Sequence, residues 1–92
     1  MKYTIVFMPE AEKDVKRLKK SGNKALLKKL NTLLEEISEH PFAGTGKPEQ
    51  LKHYKTPTWS RRISREHRLV YEIRDEVITV LVLAAYGHYD HR

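Results

Sequence analysis

Between Asn23 and Glu39, residues Leu26, Leu27, Leu30, Leu33, Leu34 and Ile37 recur at the three- and four-residue spacing of one helix face, and Pro41 stops the pattern. After Pro41 that period does not return. Alternation of period two takes over, ending in a β-branched run from Val77 to Ala85. A chain that changes period in this way has to pack helix against sheet. With 92 residues it has room for one core, and a Rossmann unit or a TIM barrel is excluded on size.

The flanking segments fill in the order. Tyr3, Ile5 and Phe7 alternate against Lys2, Thr4 and Val6, which predicts a strand over 2–8. Pro9 ends it and suits the first turn of a helix over 9–20. There Ala11, Val15 and Leu18 form the apolar stripe, and Lys13, Lys16, Arg17, Lys19 and Lys20 face out. Ser21-Gly22 breaks this helix, so the two helices are expected to lie antiparallel. Residues 41–48, with two Pro and two Gly, read as a loop. Strands are expected at 50–54, 59–64, 68–74 and 77–86, with a tight hairpin at Asp75-Glu76 and a last strand buried on both faces. The fold class is α+β: one domain over residues 1–92, with an N-terminal strand and two antiparallel helices packed on a mainly antiparallel twisted sheet.

Lys and Arg number 18 against 12 Asp and Glu, a formal net charge of +6. A small domain so basic suits a polyanion, nucleic acid first and an acidic protein second, although lysine also serves plain solubility. The absence of cysteine excludes a disulfide framework and a thiolate zinc site. His40, His53, His67, His88 and His91 lack paired spacing on one helix, so no metal and no cofactor are expected. The opening Met1–Ile5 is not an apolar leader, and no segment is long and apolar enough to span a bilayer. The expectation is a cytoplasmic protein that does not engage a membrane.

Helices cover one sheet face and leave the other free. Alternation groups Ser60, Arg62 and Ser64 apart from Trp59, Arg61 and Ile63, and sets Arg68, Val70 and Glu72 opposite a core face of Leu69, Tyr71 and Ile73. Arg62 and Arg68 therefore project from the free face and make it basic. Cutting RNA without a metal needs a base for the 2′-hydroxyl, a cation for the phosphate oxygens and an acid for the leaving oxygen. Glu49, beside Lys47 and Lys52, is the candidate base, or else an ordinary surface glutamate paired with lysine. Arg68 is the candidate cation, or a structural partner of Glu72. His88 is the candidate acid, with His91 three residues on as a competitor. Tyr89 can stack a base or seal the sheet, and Trp59 reads as core or dimer interface. Lys47, Lys52, Arg61, Arg62 and Arg65 are accounted for by holding a polyanion.

The blocks PFAGTGKPEQLKH (41–53) and WSRRISREHRLVY (59–71), with the closing His88-Tyr89, resemble the YoeB/Txe toxins of bacterial type II toxin–antitoxin systems, within the RelE/ParE superfamily. The resemblance implies a RelE-like fold and a ribosome-dependent endoribonuclease cutting mRNA in the decoding site. It implies Glu49 as general base, Arg68 as phosphate-stabilising cation and His88 as general acid, with Lys52, Arg62 and Tyr89 lining and positioning the substrate. It further implies a cognate antitoxin, mRNA and the ribosome (rRNA) as partners, and a homodimer. This chain departs from the family pattern in continuing past the tyrosine with Asp90-His91-Arg92. Two other readings stand beside it: a gyrase-inhibiting toxin of the ParE type, and an RNA-binding module without catalysis.

Overall fold

The computed structural model describes residues 2–87; the expectations on His88 and Tyr89 lie outside the described residues. The elements run β1 (Thr4–Phe7), α1 (Pro9–Lys20), α2 (Lys24–Glu39), β2 (Glu49–Gln50), β3 (Thr58–Arg62), β4 (Arg68–Arg74), a 3-10 turn (Asp75–Val77) and β5 (Thr79–Ala84). Sheet order is β1-β5-β4-β3-β2, with β1 parallel to β5 and every other pair antiparallel. This is the expected α+β arrangement.

Local chemistry explains where the helices start and stop. Pro9 occupies the first turn of α1, where its missing N–H costs nothing, and Glu10 and Glu12 near the start and Arg17, Lys19 and Lys20 near the end complement the helix dipole. Asn23 caps α2 by accepting the Leu26 N–H at 3.0 Å. Gly22, at φ +73°, supplies the left-handed turn between the helices. The stripe Leu26, Leu30, Leu33 and Ile37 then packs, with Leu18, onto Leu69, Tyr71, Ile73, Val80 and Val82. Each such side chain, fully buried, contributes roughly 1.5–3 kcal/mol.

Three strand expectations need correction. The expected strand at 50–54 is two residues long; beyond it Leu51 turns inward and His53 takes a left-handed φ of +70°, which no run of strand continues through. The hairpin at Asp75-Glu76 is wider than a two-residue turn: a 3-10 turn that closes on Ile78 at φ +46°. The last strand is not buried on both faces. Val80 and Val82 are buried, while Thr79, Leu81 and Leu83 are half-buried. Val70 pairs with Ala84 and Tyr71 with Val82, so Leu83 is an extra residue on β5, a bulge that turns Ala85 back into the core.

Arg61 is the largest correction, because it holds no polyanion. It is fully buried, and each of its five N–H groups has an acceptor. Nε donates to Tyr71 Oη at 3.0 Å. Nη1 donates to Glu36 Oε1 at 3.2 Å and to the Thr45 carbonyl at 3.4 Å. Nη2 donates to the His40 and Ala43 carbonyls at 2.6 and 2.7 Å. Tyr71 in turn donates to the Pro41 carbonyl at 2.8 Å. The glycines of the loop make this network possible. A Cβ on Gly44 would clash with Glu36 Oε1 and stand 2.9 Å from Arg61 Nη1, and one on Gly46 would stand 3.0 Å from the Arg62 carbonyl.

Glu36 carries the pH dependence of this network. The Thr45 N–H and hydroxyl both donate to it at 2.7 Å, and with the nearby Arg61 charge they hold its carboxyl below the usual range. A depressed carboxyl stabilises the fold fully above the unfolded-state pKa, and the contribution is lost as pH falls, because the unfolded chain takes up the proton first. The free energy of unfolding should therefore fall more steeply below about pH 4.5 in the parent than in Glu36→Gln. Urea unfolding over a pH series measures this, and parallel profiles would contradict it.

Candidate active site

The short strand β2 sets the site. Lys47, at φ +52°, turns the chain out of the Arg61-anchored loop, and Pro48 then leads Glu49 into the sheet. Glu49 stands directly across from Ser60 on β3, Ser60 across from Val70 on β4, and Arg62 across from Arg68. Residues facing each other across antiparallel strands share a sheet face, with Cβ atoms about 4.5–5.5 Å apart. Glu49, Ser60, Arg62, Arg68 and Val70 thus lie together on the face the helices leave free.

Ser60 and Val70 are buried and form the floor; Glu49 and Arg62 are exposed and Arg68 is half-buried above it. Arg68 Nη1 donates to Ser60 Oγ at 3.3 Å, which aims the guanidinium along the floor toward the strand that carries Glu49. The alternative pairing of Arg68 with Glu72 does not form: Glu72 bonds Arg74 Nε at 2.8 Å. Two arginines directly opposite each other repel, a placement that costs stability unless an anion comes between them. A depression of about 290 Å³ beside Arg62, lined among others by Lys29, Lys47 and Arg65, extends the basic surface.

The structure therefore brings Glu49, Arg62 and Arg68 to one face. Lys52 is exposed on the loop between β2 and β3, outside the register that aligns those three. Trp59 is half-buried against the core, edge-on to Phe42 with ring centroids 5.5 Å apart, and is not on the free face. The chain returns to the site at its end: the Gly87 carbonyl accepts the Arg68 N–H at 2.9 Å, so residue 87 is fastened to the backbone of the candidate cation.

Two residues there escaped the reading of the sequence. Asp14 is buried and accepts the Ala85 N–H at 3.0 Å; its position on the apolar stripe of α1, between Ala11 and Leu18, was the signal. His67 accepts the Gly87 N–H, and no pattern in the sequence distinguishes it from the other histidines. A groove of about 490 Å³ lined by α1, α2 and Phe7 lies in the helix layer, away from Glu49 and Arg68. No helix among the described residues is long and apolar enough to cross a membrane.

Two helices packed on a five-stranded sheet, with a carboxylate and two guanidiniums on the open face, are the arrangement shared with solved toxins of the YoeB/ParE type. A solved YoeB/ParE toxin from Agrobacterium tumefaciens superposes with a TM-score of 0.85 at 32% identity, over 94% of this chain and 99% of that one. The chain belongs to the family described as YoeB-like toxin of bacterial type II toxin-antitoxin system, whose model matches residues 7–89. Toxin YoeB of Escherichia coli (strain K12) is 46% identical over 67 residues, 73% of this chain and 77% of that protein. Two Staphylococcus aureus structures are similar: a YoeB dimer (TM-score 0.80, 38% identity) and a YoeB-YefM complex (TM-score 0.77, 39% identity), each covering 97% of this chain and 100% of that one.

Proposed function

We propose that this toxin is a ribosome-dependent endoribonuclease that cuts mRNA by attack of the RNA's own 2′-hydroxyl, with no metal required. The observation that carries the reading is the register that sets Glu49, Ser60, Arg62 and Arg68 on one open face. Glu49 takes the proton of the 2′-hydroxyl as its oxygen attacks the adjacent phosphorus. Arg68 meets the charge gathering on the non-bridging oxygens, with its planar fork matched to phosphate. His88 protonates the departing 5′-oxygen, leaving a 2′,3′-cyclic phosphate upstream and a 5′-hydroxyl downstream. Arg62 and Lys52 hold the strand, and Tyr89 positions it.

The ribosome supplies what an open basic face lacks, a fixed RNA conformation that brings the 2′-oxygen in line with the leaving oxygen. Membership in the YoeB-like family supports the reading, and the net charge of +6 suits both rRNA and an acidic antitoxin. In this account the protein works in the cytoplasm, pairs with an antitoxin as the S. aureus relative does with YefM, and self-associates as the S. aureus YoeB dimer does.

The test is growth arrest on induction, followed by mapping mRNA ends and chromosomal breaks. Cleaved translating mRNA is expected, and Glu49→Gln, Arg68→Ala and His88→Ala should each relieve arrest while the protein still accumulates. DNA damage without mRNA cleavage would favour the gyrase-inhibiting reading. Arrest with salt-sensitive RNA binding, surviving substitution of Glu49 and His88, would favour the binding module.

A further inference from the structure

The last described residues are gripped one after another. Asp14 on α1 holds the Ala85 N–H at 3.0 Å. One helical turn on, the Arg17 guanidinium lies 3.8 Å from the centroid of the Tyr86 ring, and the His67 ring packs against the same tyrosine at 4.4 Å. The Gly87 N–H donates to His67 Nδ1 at 2.8 Å, while the Gly87 carbonyl accepts the Arg68 N–H at 2.9 Å. His67 is itself immobilised in the β3–β4 connection. Its N–H reaches Ser64 Oγ at 3.2 Å, and its carbonyl accepts from Ile63 and Ser64 at 2.9 and 3.1 Å.

We infer that His67 is a positioning residue for the RNA cleavage proposed above: by accepting the Gly87 N–H it fixes the Gly87 peptide, whose carbonyl in turn holds the backbone N–H of Arg68. The inference rests on that proposed reaction. Gly87, at φ +74° and with open space where a Cβ would stand, has no steric preference of its own to fix this turn. Its two hydrogen bonds fix it instead, and His67 supplies the one that a side chain makes. A pinned Gly87 therefore holds Arg68, the first residue of β4 and the proposed phosphate-binding arginine, through its backbone N–H.

Two substitutions separate acceptor from packing. His67→Phe keeps a ring against Tyr86 and removes the acceptor; His67→Asn keeps an acceptor oxygen near the place of Nδ1 and removes the ring. Cleavage of mRNA on programmed ribosomes is measured at saturation and at half-saturation, with amide exchange at Gly87 followed in the free protein. His67→Phe should lose Gly87 protection and about 10–100-fold in kcat with KM unchanged, the scale of a misplaced catalytic group. His67→Asn should keep the protection and cut within a few-fold of the parent. The inference is overturned if His67→Phe cuts like the parent, if its loss lies in KM alone, or if His67→Asn is the slower of the two. A parent protein that cuts no mRNA, with Gly87 still protected, would instead remove the cleavage reading, and the catalytic part of this inference with it.

Discussion

Arg61→Ala is expected to leave the protein largely unfolded at growth temperature, the largest stability effect of any single substitution in the sheet. The guanidinium is fully buried and satisfies all five donors, so its loss creates more than a cavity. The His40 and Ala43 carbonyls lose their partner, and Tyr71 Oη loses a donor beneath the core. Glu36 is partly exposed and keeps its Thr45 bonds, so the ion pair itself adds little. The space left by the buried side chain adds to about 1–3 kcal/mol for each polar group whose lost donor water cannot replace. Domains of this size are stable by only about 5–15 kcal/mol in total. Lysine should rescue little, because one ammonium cannot reach acceptors spread around a planar fork. Urea unfolding of a soluble Arg61→Lys variant beside the parent gives the figure, and a loss under about 1 kcal/mol would contradict the assignment.

The largest functional effects are expected on substituting Arg68 and Glu49, with little cost to folding. Glu49 is exposed on a two-residue edge strand, and Glu49→Gln keeps its shape, so the protein should melt where the parent does. Loss of a general base lowers a rate by about 10²–10⁴-fold. Arg68→Ala removes charge and fork together, and a loss of about 10²–10³-fold or more in kcat is expected by analogy with deletion of a transition-state donor. Arg68→Lys should fall between, having charge without the bidentate geometry. Because Arg62 and Arg68 repel across the β3–β4 pair, Arg68→Ala should be at least as stable as the parent. That pairing of lost activity with unreduced stability separates a site residue from a structural one.

Much of this was legible in the sequence, for definite reasons. The α2 stripe and the alternation in β3 and β4 are long periodic signals, and Arg62 and Arg68 fell on the face that alternation assigns them. Arg61 was misjudged because charge in a basic stretch looks the same whether it meets solvent or carbonyls. Alternation had already placed it with Trp59 and Ile63 on the core side, and the charge count overrode that hint. The GTG segment was legible only as a loop; Gly44 and Gly46 give room to Arg61 and Glu36 and carry the chain toward Glu49. The Leu83 bulge was hidden because a run of apolar residues has no alternation to interrupt. The grip of Asp14 and His67 on residues 85 and 87 joins positions 71 and 20 apart in sequence, a separation no local pattern encodes.

The central claim is that Glu49 and Arg68 cut RNA through its own 2′-hydroxyl, and the ends of the fragments report it most directly. Purified toxin, programmed ribosomes and a chelator, with the upstream fragment analysed by mass, decide the matter. The account predicts a 2′,3′-cyclic phosphate or its hydrolysed 3′-phosphate facing a 5′-hydroxyl, at a rate lowered at least about a hundredfold by Glu49→Gln. A 3′-hydroxyl facing a 5′-phosphate, or a Glu49→Gln protein as fast as the parent, would contradict it.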